Sequence, residues 1–420
     1  MGKAGKRYGT ARGSEFTTPQ TWCAACATYA GIAWYGLTVF LGFAATDIWA
    51  NGNPDFDDNG KVEFADFLIF ATGFGKQAGE EGFDTRLDLG GNGAVDFEDF
   101  LIFAAAFGQS TTDTGSGAIP VDSTGIWSTR AQLLEPNSEM TVAQLNDKIY
   151  VIGGYPSTRI SVTTVQVYDT STDSWTLTTP LPLAMNHGMA AATNGKVYMI
   201  GGQISAGGNG PFQDTVFEYD PTTAIWTSRT PMPTARGGSV AGVIDGKIYV
   251  AGGRPPRGND FAVYDPSTDS WTTLPDLPTQ RNHIAGAVID GKFYVVGGRF
   301  GAGFRSDMTN VLEMFDPATN RWTTKAPMPT VRSGLNGIAV HGCFYVWGGE
   351  SSAGVFPQME LYNPVTDTWQ SLDPVPVPVH GVTGAAFIDG WIHLPGGGTS
   401  NGGSSGSTIH QVFRAGTTCP

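Results

Sequence analysis

The sequence predicts an all-β chain: six copies of a unit of about four short strands, closed into a ring by a strand from the N-terminal side, with a small α-helical domain ahead of it. Three observations carry this. The composition, with 58 Gly and 26 Pro and only 15% charged residues, fits many tight turns better than a helical bundle. A Gly-Gly pair follows an apolar run at Gly153, Gly201, Gly252, Gly297, Gly348 and Gly396, with gaps of 48, 51, 45, 51 and 48 residues. A shorter repeat stands in front: Asp55–Gly75 and Asp88–Gly108 read almost alike at an offset of 33 residues.

The first segment, residues 1–50, opens with Lys3, Lys6, Arg7 and Arg12 and continues as an uncharged run from Trp22 to about Ala45. That run is long enough to span a bilayer. It reads as a signal peptide or a membrane anchor. Its Ala-rich end, with small residues at Gly42 and Ala44, favours cleavage. Either way the remainder is expected outside the cytoplasm, secreted or on the cell surface. Cys23 and Cys26 have no second Cys pair, so zinc is not expected there. A bridge between Cys343 and Cys419 is open from the sequence; the reading adopted is two free thiols.

Residues 51–108 hold the short repeats. Asp55, Asp57, Asn59, Lys61, Glu63 and Asp66 occupy positions 1, 3, 5, 7, 9 and 12 of a loop, with Gly60 at the sharp turn. Calcium takes six to eight hard oxygen ligands, and this spacing wraps oxygens around one point. Lys61 would contribute its carbonyl, and Glu63 would act through water. The second loop offers Asp88, Asn92, the Ala94 carbonyl, Asp96 and Asp99, but Gly90 replaces a ligand. Each loop runs into an apolar stretch that should pack as a helix. Loop plus exiting helix, duplicated, resembles the dockerin-type, EF-hand-like repeats of secreted bacterial proteins. The resemblance implies calcium as cofactor and a cohesin-like module as partner. Between Asp55 and Asp99 stand twelve acids against three bases, the largest share of a formal net charge of -14. This acidity argues against nucleic acid as a partner.

Residues 109–125 form a polar Ser/Thr/Gly linker. The ring domain, 126–416, follows. In five units an aromatic residue precedes a Trp by seven positions: Tyr168/Trp175, Tyr219/Trp226, Tyr264/Trp271, Phe315/Trp322 and Tyr362/Trp369. The apolar runs are β-branched and end at turn signals such as IDGK and YDPSTD. Apolar strand, Gly-Gly, Tyr, then Trp resembles the kelch repeat, which implies a six-bladed β-propeller with one four-stranded sheet per blade. Trp127 stands alone at the start, and the last Gly-Gly unit has no Trp after it. The N-terminal strand should therefore complete the C-terminal blade.

One position, nine residues before the turn ahead of each Gly-Gly strand, holds Asn137, Met185, Arg236, Arg281, Arg332 and His380. Animal kelch adaptors grip acidic peptides with similarly placed arginines. The resemblance makes Arg236, Arg281, Arg332, His380 and Asn137 candidate ligand-binding residues, with Arg254 and Arg299 adding to the same lining. Guanidinium forks suit carboxylates. The six histidines are dispersed in sequence and match no kelch copper oxidase site. The expected function is an extracytoplasmic module that binds a protein or carbohydrate. The alternative is a kelch enzyme acting on an acidic sugar, similar to a sialic acid mutarotase, with Glu350 as candidate acid or base.

Overall fold

The computed structural model describes residues 54–57, 61–80, 82–90, 92–108, 125–204, 210–254 and 258–420. The signal or anchor segment, the linker up to residue 124 and the candidate ligand Asn59 lie outside the described residues. Among those described, no helix is long and apolar enough to cross a membrane. The chain divides into two compact units, Met1–Ala118 and Ile119–Pro420.

In the first unit the expected helices are present as α1, Phe64–Gly73, and α2, Phe97–Ala106. Both start with a capping box, in which a carboxylate satisfies backbone N–H groups that have no partner within the helix. Asp66 Oδ2 accepts from Glu63 N at 2.8 Å, and Asp99 Oδ2 accepts from Asp96 N at 2.7 Å. The other oxygen of each reaches back to the loop: Phe56 N and Asp57 N donate to Asp66 Oδ1, and Gly90 N to Asp99 Oδ1. The repeats then cross-link each other. Gly75 N donates to Val95 O and Gly108 N to Val62 O, both at 2.7 Å. Matching residues of the two repeats fill one core: Phe56 and Leu89, Val62 and Val95, Phe70 and Phe103.

The second unit contains the six blades. Blade 1 comprises Met140–Leu145, Lys148–Ile152, Val165–Asp169 and Ser174–Leu177. Blades 2 to 5 repeat this antiparallel order from Met189 to Leu372. Blade 6 is completed as expected: Ala386–Ile388, Trp391–Pro395 and His410–Arg414 are joined by Trp127–Thr129, with Trp127 opposite Phe413. Closure ties the two ends of the chain into one blade and leaves only short blade edges.

The repeated aromatics lock neighbouring blades together. Each Trp indole N–H donates to a carbonyl just beyond the preceding blade: Trp175 to Ala131, Trp226 to Thr179, Trp271 to Thr230, Trp322 to Pro275, Trp369 to Ala326 and Trp127 to Asp373. In three blades a Tyr hydroxyl holds an Asp that accepts from the same connecting residue. Thus Tyr264 donates to Asp269, which accepts Thr230 N. Between blades the packing is apolar, as where Tyr294, Val296 and Met314 meet Phe344, Val346 and Tyr362.

The Gly-Gly pairs are sterically required. Gly153 has φ +62°, and a Cβ there would stand 2.5 Å from Met185 O of the next blade.

The cysteine reading is corrected. Cys343 and Cys419 form a disulfide, with Cα atoms 5.3 Å apart. Cys343 opens the buried second strand of blade 5, and the tail after Arg414 returns to it. Nothing local relates two residues 76 apart in sequence; the packing of blade 6 on blade 5 brings them together. A cross-link of that span restricts the unfolded chain by about 4 kcal/mol.

Candidate functional site: a buried polar cluster on the propeller axis

Three stacked rings of residues surround the axis, and each arises from a repeated backbone feature. The first contains the positive-φ residue ahead of each innermost strand: Glu139, His187, Gly238, His283, Gly334 and Gly381. From blade to blade each N–H donates to its predecessor's carbonyl, from His187 to Glu139 through Gly381 to Gly334, at 2.8–3.0 Å. The second ring is the residue after each Gly-Gly pair: Tyr155, Gln203, Arg254, Arg299, Glu350 and Gly398. The third is Ser138, Asn186, Gly237, Asn282, Ser333 and His380, paired through the backbone with the second.

The side chains on these rings converge. His187 Nε2 lies 3.0 Å from Glu139 Oε2 and 3.0 Å from Arg254 Nη2, which also reaches His283 Nε2 at 3.2 Å. The other nitrogens of the two imidazoles face Asn186 Oδ1 and Asn282 Oδ1. Arg299 Nη1 donates to Glu350 Oε1 at 2.7 Å. His380 Nδ1 lies 3.6 Å from Glu350 Oε2 and 3.9 Å from Glu139 Oε1. Glu139, His187, Arg254, His283, Arg299, Glu350 and His380 are all buried.

Two loops close over the cluster. Ala302 O accepts from Arg254 Nη1, Ser400 O from His380 Nε2, and Gly402 N donates to Glu350 Oε2.

Burial and charge set the protonation states. Burial pushes the Glu139 carboxyl up, but His187, His380 and Arg299 outweigh it and hold it below the usual carboxylate range. Burial lowers His187 against the opposing pull of Glu139. His283 falls well below its ordinary value through burial, reinforced by Arg299 and Arg254. Burial and the neighbouring Arg299 bring Arg254 down to about 10, still protonated at neutral pH. Glu139 and Glu350 thus share the cluster with Arg254 and Arg299, and His187, His283 and His380 stand among them. Several polar atoms remain without a hydrogen-bond partner: Ser138 Oγ, Gln203 Oε1, Arg299 Nε and His380 Nδ1. Such atoms are costly in a protein interior unless water or a ligand meets them.

The arginine expectation is corrected. Arg236, Arg281 and Arg332 are at most 1% exposed and lie inside their blades, not in the channel. Arg236 Nη1 donates to Asp260 O at 2.6 Å. Arg281 donates to Val295 O and pairs with Glu313; Arg332 donates to Val346 O and pairs with Glu360. The three face successive carbonyls of their own sheets and do not converge. Asn137 is likewise structural, with Nδ2 donating to Gly153 O.

His380 does reach the cluster, but on a different ring from those arginines. Gly381 stands eight residues before the Asp389 turn, where Gly334 stands seven before His341. The extra residue is taken up at Gly384, where a Cβ would lie 2.2 Å from Val142 O. Val379 is therefore the true counterpart of Arg332. Arg254 and Arg299, secondary in the sequence reading, are the arginines of the site. The sequence signal missed was the Asn-His pair at Asn186-His187 and Asn282-His283, in matching positions of two repeats. The histidines are therefore less dispersed than they read. His393 and His410 also pair, at 3.0 Å, within blade 6.

In the helical unit, Asp55, Asp57 and Asp66 bring one carboxylate oxygen each within 4.8 Å of one another. Lys61 and Glu63 are exposed along the same loop. In the second loop Asp88 accepts from Asn92 N and Gly93 N of its own turn, and Asn92 Oδ1 from Ala94 N. Among the described residues this loop, with Asp96 and Asp99, assembles no comparable cluster.

Fold and site together define a closed six-bladed propeller with a charged, loop-covered axis. Residues 125–298 and 186–397 match the KLHDC2/KLHL20/DRC7 Kelch-repeats domain, and the chain belongs to the kelch-repeat family. Kelch-like protein terF of Aspergillus terreus is 34% identical over 158 residues, 33% of each chain. Human Kelch-like protein 23 is 29% identical over 238 residues, 56% of this chain and 41% of that one. The chain thus spans less than half the length of these relatives. The solved structure of YjhT is similar in fold, with a TM-score of 0.57 and 19% identity over 67% of this chain and 96% of that one.

Proposed function

We propose that this is an extracytoplasmic recognition protein whose propeller binds a protein or carbohydrate ligand carrying a carboxylate, at the loop-covered end of the axis. The carrying observation is the buried Arg254/Arg299 pair set among polar atoms without partners. Guanidinium groups in a low-dielectric site recognise carboxylates strongly. The disulfide supports an oxidising compartment, secreted or on the cell surface.

The test is binding of the whole protein to an array of acidic and neutral glycans and to a library of acidic peptides. A carboxylate-bearing ligand is expected, with affinity falling at least tenfold in Arg254→Ala. A ligand that binds the variant as well as the parent would place recognition elsewhere.

A second reading is an enzyme on an acidic sugar. It is favoured by His187 Nε2, which stands between a carboxylate and a guanidinium where a proton could be taken or returned. Glu350, the candidate acid or base, lies in the same cluster. Turnover of an acidic hexose by the parent protein, lost in His187→Gln, would select this reading.

For the helical unit we infer calcium binding at loop one, supported by the three converging carboxylates. Phe64 and Phe97, both 63% exposed, and Leu68 and Leu101, both 54%, present matching apolar patches. These support a protein partner, as a cohesin-like module would be. Calorimetric titration of the whole protein with calcium should find a site that Asp55→Ala/Asp57→Ala removes. An unchanged titration in that variant would reject loop one.

A further inference from the structure

We propose that the propeller axis holds a borderline divalent cation such as Zn2+ or Mn2+, ligated by His380 Nδ1, Glu139 Oε1 and Glu350 Oε2. Each residue offers one donor, and the three lie within 4.8 Å of one another.

The decisive atom is His380 Nδ1. The other ring nitrogen, Nε2, lies 2.8 Å from Ser400 O, a carbonyl that can only accept. Nε2 therefore carries a proton, and in the neutral ring Nδ1 is a bare lone pair. That lone pair is buried, has no hydrogen-bond partner, and faces two carboxylates at 3.6 and 3.9 Å. With the ring neutral, the three groups are acceptors aimed at one another, which repel unless a cation stands between them. The separations are too long for hydrogen bonds. They lie close to the spacing of about 3.4 Å between ligands of a tetrahedral ion with bonds of about 2.1 Å.

The surroundings match those of a ligated metal. A metal-bound histidine usually donates its other N–H to a carbonyl or carboxylate, which fixes the ring; Ser400 O does this here. Glu350 is oriented by Arg299 at 2.7 Å and by Gly402 N at 2.7 Å, and Glu139 by His187 at 3.0 Å. One imidazole with two carboxylates suits a borderline ion better than calcium, which prefers six or more oxygens. A neighbouring trio, Glu139, His187 and His283, is a weaker candidate, because Arg254 Nη2 stands between its two imidazoles.

The ion site adjoins the proposed ligand site through the Arg299–Glu350 pair, but ion binding and carboxylate binding are read separately, so either can fail alone. The experiment is titration of the full-length, chelator-treated protein with Zn2+ and with Mn2+, in excess calcium to fill the loops. Parent protein is expected to bind one equivalent of one of these ions, and its melting temperature to rise. His380→Gln and Glu139→Gln should each weaken binding at least 100-fold. No ion bound by the parent, or equal binding in both variants, overturns the proposal. Should a variant fail to fold, nitrogen NMR of the parent decides. A His380 Nδ1 resonance displaced on adding Zn2+ supports the site. An Nδ1 that stays protonated and unmoved in the presence of the ion overturns it.

Discussion

Replacing Arg332 with alanine is expected to destabilise the propeller by about 3–5 kcal/mol, the range for removing one partner of a buried ion pair. Arg332 is fully buried and Glu360 is 2% exposed. Burial lowers the Arg332 pKa, and the Glu360 carboxylate opposes that shift. Without the guanidinium, Glu360 keeps only the Thr330 hydroxyl at 2.7 Å, and Val346 O loses a donor. The cost is that of an uncompensated charge, not the worth of the pair itself. The double variant Arg332→Met/Glu360→Met should therefore recover most of the loss. Urea unfolding of parent, single and double variants measures both. A single variant within 1 kcal/mol of the parent would contradict the structural role. The same contrast applies to Arg281 and Glu313, paired in the preceding blade.

Removing residues 1–134 is expected to prevent stable closure, whereas removing 1–124 should leave the propeller's melting almost unchanged. The two truncations differ by the strand Trp127–Thr129 and the buried Leu133. Without that strand, Val412 and Phe413 lose their ladder partners, and Asp373 O loses the Trp127 indole. The buried strand His410–Arg414 is then left as the open edge of the last blade, and the contact between blades 5 and 6 is weakened. The shorter truncation removes only the N-terminal segment, the helical unit and the linker. Thermal melting and size-exclusion chromatography of both proteins test this. If the 1–134 deletion stays soluble and melts with the parent, the strand is dispensable for closure.

Much of the fold was legible because it is local and repeated. Gly-Gly at Gly153 and its five counterparts marks a backbone that no side chain could follow, and that constraint is written directly in residue type. The Tyr–Trp spacing of seven survives in the structure as a cross-strand pair, Tyr264 opposite Trp271, with the Trp then bonded to the preceding blade. The lone Trp127 and the Trp-less last unit determined closure, because a sheet lacking one strand at each end of the chain has one economical completion. The loop spacing around Asp55, Asp57 and Asp66 was readable for the same reason: one turn of chain brings those oxygens together.

The site was not legible in this way. Counting from the turns ranked Arg236, Arg281 and Arg332 first, but the direction of a side chain depends on its place in the pleat. These three face their own sheets, whereas Arg254 and Arg299 leave the Gly-Gly turns toward the axis. One extra residue at Gly384 shifted His380 onto another ring. The sequence by itself determined the units, their register, their number and their closure, through steric and hydrogen-bonding rules that act over a few residues. Only the tertiary structure decided which polar groups share the axis and which cysteines pair. Glu139, His187, His283, Glu350 and His380 come from five blades, and a closed ring makes neighbours of residues whose separation along the chain encodes nothing about their contact.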